Sequence, residues 1–132
     1  MIGETNLNTL LAGMQPVLNE YPYVFCTVSQ EIYATLPVVP LLMFKEREGV
    51  TVILTQSQAK RSGLPFAETW AWIELHVHSS LSAVGFIAAV SSRLAQAGIS
   101  VNLVSAYYHD HLFVPWESRG RAMQLLEDLS AY

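Results

Sequence analysis

Cysteine is nearly absent from this chain. Cys26 stands alone among 132 residues, so no internal disulfide forms, and no zinc site of two or four thiolates can be built within one copy. Its neighbours in YVFCTV are apolar, which suits a small buried side chain better than a reactive thiol. Basic charge is scarce as well. Seven Lys and Arg face eleven Asp and Glu, a net charge of -4, and no basic cluster is present to release counterions from a phosphate backbone. No nucleic-acid partner is therefore expected. No apolar run reaches the length of a membrane span, and the opening MIGETNLNTLLAGM lacks the basic leader and apolar stretch of a signal peptide. A cytoplasmic protein with no membrane partner is the expectation. The chain also lacks a GxSxG elbow, a phosphate loop and a glycine-rich dinucleotide fingerprint, so no catalytic residue and no cofactor are expected.

Apolar residues make up 52% of the chain and charged ones 14%, enough for one compact domain or two very small ones sharing a core. Asn6 and Asn8 are candidate caps for a short helix over LLAGMQPVL, which Pro16 kinks or ends. Tyr23 to Val28 reads as a mostly buried strand. SQEIYATLPVVP carries Pro37 and Pro40 and reads as a loop with an edge-like extended piece. Leu41 to Lys45 and Val50 to Thr55 flank EREG as a hairpin, in which Gly49 can take positive φ. Ser57 is the expected cap of a helix of two turns at most, closed by Gly63.

The richest stretch runs from Ala71 to Pro115. Alternation places Ala71, Ile73, Leu75 and Val77 on a core face and Trp70, Trp72, Glu74, His76 and His78 on the other, which needs a cover. Ser79 or Ser80 can cap a following helix that begins near Leu81, with Ala83, Ile87, Val90, Leu94 and Ala97 as its apolar stripe and Gly98 at its end. Two alternating strands around the turn HDH follow, and then a helix from Glu117 to about Leu129. This order sets a helix N-terminus and a hairpin turn at one edge of one sheet.

The residues HVHSSLSAVGFIAAVSSRLAQAGISVNLVSAYYHDHLFVP resemble the first strand, binding loop, first helix and central hairpin of the ACT domain family, small βαββαβ modules that bind regulators. The resemblance is clearest over Ile73 to Leu126, and the preceding part looks like a second, degenerate copy. It implies an α/β fold of the α+β sandwich kind: ferredoxin-like βαββαβ modules in tandem, antiparallel sheets with helices on one face, a degenerate half at 1–69 and an ACT domain at 70–132. SSLSAVG stands where many members carry an acidic residue followed by Pro-Gly. No strand follows the last helix, and Tyr23 to Val28 is the candidate to fill that place at the sheet edge.

The resemblance implies a ligand site of His78, Ser79, Ser80, Leu81, Val84, Gly85 and Asn102. Its physical basis is general: unpaired first-turn amides and the helix dipole accept a carboxylate without a cationic side chain. Serine in these places also serves as an ordinary cap, Gly85 as a packing residue, and Asn102 as a partner for a backbone group. The expected function is noncatalytic binding of a small carboxylate metabolite, above all an amino acid, by a regulatory or sensor protein that forms a homodimer. Two alternatives stay open. The four histidines fall in two pairs, His76 with His78 and His109 with His111, and the βαββαβ order would bring His78 beside His111, with Asp110 near, as in a metal site or a metal-dependent enzyme. HDH is equally suited to a solvated hairpin tip. The other alternative is an interaction module without a ligand.

Overall fold

Asn6 begins the ordered elements by accepting a hydrogen bond from Thr9 N at 3.0 Å, which caps α1 (Leu7–Gly13). The computed structural model describes residues 3–130. Met1, Ile2, Ala131 and Tyr132, at the outer ends of the two expected halves, lie outside the described residues. After α1 come β1 (Gln15–Val28), α2 (Gln30–Ala34), β2 (Leu42–Lys45), β3 (Val50–Thr55), α3 (Gln56–Arg61), β4 (Trp70–His76), α4 (Phe86–Gln96), β5 (Asn102–Ser105), β6 (Asp110–Pro115), a 3-10 turn (Trp116–Ser118) and α5 (Arg119–Ser130). The class is α+β with antiparallel strands, as expected.

The residues pack as two units: the chain up to Glu20 together with the part from Ala71 on, and Tyr21–Trp70. In the first unit the strands follow the order β1-β4-β6-β5. Ala71, Ile73 and Leu75 of β4 and Leu112 and Val114 of β6 form one apolar face, on which Leu10, Phe86, Val90, Leu94, Ala122, Leu125 and Leu126 of α1, α4 and α5 are buried. Each fully buried leucine or isoleucine contributes about 1.5–3 kcal/mol. All three helices thus lie on one face. The strand beside β4 is the Gln15–Glu20 portion of β1, where Asn19 Nδ2 donates to Trp72 O at 3.3 Å. The place left by the missing last strand is therefore filled by the part of β1 that begins eight residues before Tyr23, because the strand is longer than its apolar run suggests.

In the second unit the order is β2-β3-β1, and Tyr23 to Val28 pairs antiparallel with β3, Cys26 opposite Val52. Val24, Cys26, Val28, Val50, Val52, Leu54 and Ala59 make its core, and burial pushes the Cys26 thiol above its ordinary pKa. Three expectations change here. The segment after Ser29 opens as a helix, α2, since Ser29 Oγ accepts from Ile32 N at 3.1 Å. The cap of α3 is Thr55 rather than Ser57, in a reciprocal capping box with Gln58. Gly49 is not among the positive-φ glycines of the described residues. It is required for close approach instead, because a Cβ there would stand 2.9 Å from Thr27 Oγ1 and 3.1 Å from Val28 O.

Candidate functional site

His76 ends β4 and Phe86 opens α4, so the helix starts later than Leu81. The cause is the N-terminal segment. Glu4 N donates to His78 O at 2.8 Å, and Ser80 N donates to Glu4 O at 2.8 Å, an isolated parallel bridge to Ser79. This contact keeps 78–80 extended, and neither Ser79 nor Ser80 caps the helix. It also demands a glycine upstream: a Cβ on Gly3 would strike Ser80 N at 2.6 Å and Ser79 C at 2.7 Å. Ser80 instead organises a turn, its Oγ accepting from Ser82 N at 3.1 Å and its carbonyl from Ala83 N at 3.0 Å. Gly85 is the residue at the N-cap of α4, with φ 93 and ψ -14 and no side-chain cap bond. The first-turn amides of this eleven-residue helix therefore have neither an intrahelical acceptor nor a capping side chain.

A cavity of about 110 Å³ opens against this turn. The loop lines it with Ser79, Ser80, Leu81, Ala83 and Gly85, the helix with Phe86, Ile87 and Ala88, and the hairpin strands with Ser105 and Asp110. Ser79 and Asp110 are 7% and 5% exposed, and Ser79 Oγ donates to Asp110 Oδ2 at 2.9 Å. Ser105 and Asp110 face each other across the β5–β6 register. Hydroxyls, one carboxylate and free amides thus meet in one small space.

Of the expected ligand residues, Ser79, Ser80, Leu81 and Gly85 line the cavity. His78 precedes it and lies against Tyr107 and Tyr108, with ring centroids 6.2 and 5.4 Å away. Val84 is 85% exposed and does not line it. Asn102 is exposed at the far end of β5, opposite Phe113, and the structure does not bring it to the cavity. Ser105, three residues on, stands there instead. Ser105, Phe86, Ile87 and Ala88 were missed, and Asp110 was placed with the wrong partners. The signal for Asp110 is its phase: it alternates with Leu112 and Val114, both buried in the core.

The histidines occupy the opposite face of the same strands. Trp72 Nε1 donates to His111 Nδ1 at 3.0 Å, and His76 stacks on His109 with centroids 4.8 Å apart and 15° between planes. These pairings run antiparallel and set Trp72 beside His111 and His76 beside His109, while His78 reaches Tyr107 and Tyr108 at the hairpin turn and does not meet His111. Among the described residues no group of three or more His, Cys, Asp or Glu is placed to hold a metal ion. The cluster is a hydrogen-bonded surface instead. Glu74 Oε2 accepts from Asn19 at 3.0 Å and Glu74 Oε1 lies 3.1 Å from His76 Nε2. Burial works to raise the Glu74 pKa, but the bonds from Asn19 and His76 and the charges of His76 and His111 outweigh it and hold the carboxyl below its ordinary value. Burial lowers the pKa of His111; His109 and His76 act the same way, while Glu74 and Asp110 oppose them.

A larger depression of about 540 Å³ lies in the second unit, bordered by Tyr21, Pro22, Gln56, Gln58, Lys60 and Arg61. The Thr55–Gln58 capping box already takes the Gln58 amide at the start of α3, a helix of six residues that brings the cations Lys60 and Arg61 to this depression. The smaller cavity joins the uncapped start of α4 to the hydroxyls of Ser79, Ser80 and Ser105 and the carboxylate of Asp110.

Two different ACT domain family models match this chain, one over residues 2–71 and the other over 67–128. The chain belongs to the ACT domain family. It is 40% identical to a protein of unknown function from Vibrio cholerae, described as a possible transport protein, with 94% of this chain and 95% of that one covered and a TM-score of 0.82. An Agrobacterium tumefaciens protein is similar in fold at 14% identity and TM-score 0.69, covering 89% of each chain. The regulatory subunit of aspartate kinase from Thermus thermophilus is similar in fold at 8% identity and TM-score 0.68, covering 90% of this chain and 97% of that one. No curated protein matches the sequence.

Proposed function

We propose that this chain is a noncatalytic, cytoplasmic sensor that binds a small amino acid in the cavity before α4, as two ACT modules at 1–69 and 70–132 acting in a homodimer. One observation carries the reading: an α-helix of eleven residues whose first turn has no side-chain cap opens onto a cavity lined by Ser79, Ser80, Ser105 and Asp110. Such a turn favours a carboxylate through its free amides and the helix dipole. The fold likeness to aspartate kinase regulatory subunits supports a regulatory role. Among the described residues no helix is long and apolar enough to cross a membrane. Dimer formation is supported by the exposed Met43 and Phe44 of β2, the edge strand of its unit.

A ligand acts on such a protein only through its difference in affinity between states. The test is a calorimetric titration of the full chain with the common amino acids, repeated on Gly85→Leu. Binding by one or a few of them that the substitution abolishes is the expected result. Binding of none, or binding indifferent to the substitution, removes the reading.

A further inference from the structure

Asp110 is the group in this cavity with unspent capacity. An ionised carboxylate offers about four lone-pair positions. Here Oδ2 accepts from Ser79 Oγ at 2.9 Å; among the described residues Oδ1 accepts no hydrogen bond, and no cation pairs with the group. The residue is 5% exposed and lines the cavity. Its Oδ1 is not among the buried polar atoms without a partner, which for the described residues is Ser62 Oγ alone, so the cavity gives access to this oxygen. The arrangement is supported from behind, since β6 is an inner strand and its Leu112 and Val114 are fixed in the core.

We infer that Asp110 is the ammonium-binding and specificity-determining residue of this site, so that the cavity selects a zwitterionic α-amino acid over a carboxylate that lacks the amine. The inference deepens the proposed function and rests on it. The first-turn amides of α4 supply the positive pole and Asp110 the negative one, within one space of about 110 Å³. One water needs about 10–15 Å³ of such space, so the cavity has room for a charged amino-acid head. Leu81 lines the same space and is 67% exposed, so a ligand side chain leaves past it toward solvent.

The experiment is a titration of the full chain with glycine, alanine, serine and valine, each beside its 2-hydroxy acid twin: glycolate, lactate, glycerate and 2-hydroxyisovalerate. The twin keeps the carboxylate and replaces the ammonium by a hydroxyl. At least one amino acid should bind about tenfold or more tightly than its twin, as a charge-assisted bond to a buried carboxylate requires. In Asp110→Asn that preference should fall to within about threefold, since the amide keeps the shape and loses the charge. Equal binding of both twins overturns the role of Asp110 and leaves the carboxylate site standing; binding of neither removes the site itself. The comparison of twins on the unaltered protein needs no variant, so a poorly folding Asp110→Asn does not protect the inference.

Discussion

Ser79→Ala removes the one donor that, among the described residues, reaches the Asp110 carboxylate. Both residues are nearly enclosed, at 7% and 5% exposure, where they border the cavity. A hydrogen bond to a charged group contributes about 1.5–3 kcal/mol, and the same range is expected as the coupling in a double-mutant cycle of Ser79→Ala, Asp110→Ala and the pair. Asp110→Ala alone is the milder change, because it also relieves the cost of burying the carboxylate. Urea denaturation of the four proteins gives the coupling from the midpoints and slopes. For a chain of this length, a loss of about 2 kcal/mol lowers the thermal midpoint by about 6–10 °C. A coupling under about 0.5 kcal/mol would show that the hydroxyl does not support the carboxylate, and the reasoning on the site would fail with it.

Gly85→Ala meets Leu7 Cδ2 at an ordinary 3.6 Å but must hold φ 93, so a loss of about 1–2 kcal/mol is expected from backbone strain alone; a neutral result in thermal melts would refute that cause. Thr55→Ala breaks the capping box of α3 and should cost about 0.5–2 kcal/mol in chemical denaturation; an unchanged midpoint would speak against the box. Burial, aided by His109 and His76, holds His111 below its ordinary 6.5, and its Nδ1 accepts from Trp72. The folded chain therefore prefers the neutral ring. The stability this contributes is fully present above about pH 6.5 and is lost as pH falls through that value toward the lower folded pKa. The urea midpoint should drop from about pH 7 to about pH 5, and His111→Gln should flatten the drop; an equal slope in the variant would contradict the assignment.

Legibility in the sequence followed the strength of local periodicity. The hairpin of β2 and β3 and the alternation of β4 were readable because each residue's side is set by parity. The family resemblance was readable from the stretch around AGISVN. What escaped depended on partners distant in the chain. The extended course of 78–80 is imposed by Glu4, so two serines that look like caps are held away from the helix they precede. The early part of β1 contains Pro16 and Asn19 and lacks a strong apolar run; its place beside β4 comes from pairing. The histidine pairs show the opposite error. Their spacing was read correctly, but the register sets His76 beside His109 and sends His78 to Tyr107 and Tyr108 instead of His111, and one strand step is enough to separate Asp110 from the rings.

The most direct measurement is the amide spectrum of the full chain as each small amino acid is added. The account predicts the largest shifts at Phe86, Ile87 and Ala88, followed by Ser79, Ser105 and Asp110, around the cavity before α4. Shifts confined instead to Tyr21, Gln58, Lys60 and Arg61 at the larger depression, or no shifts with any amino acid, would contradict it.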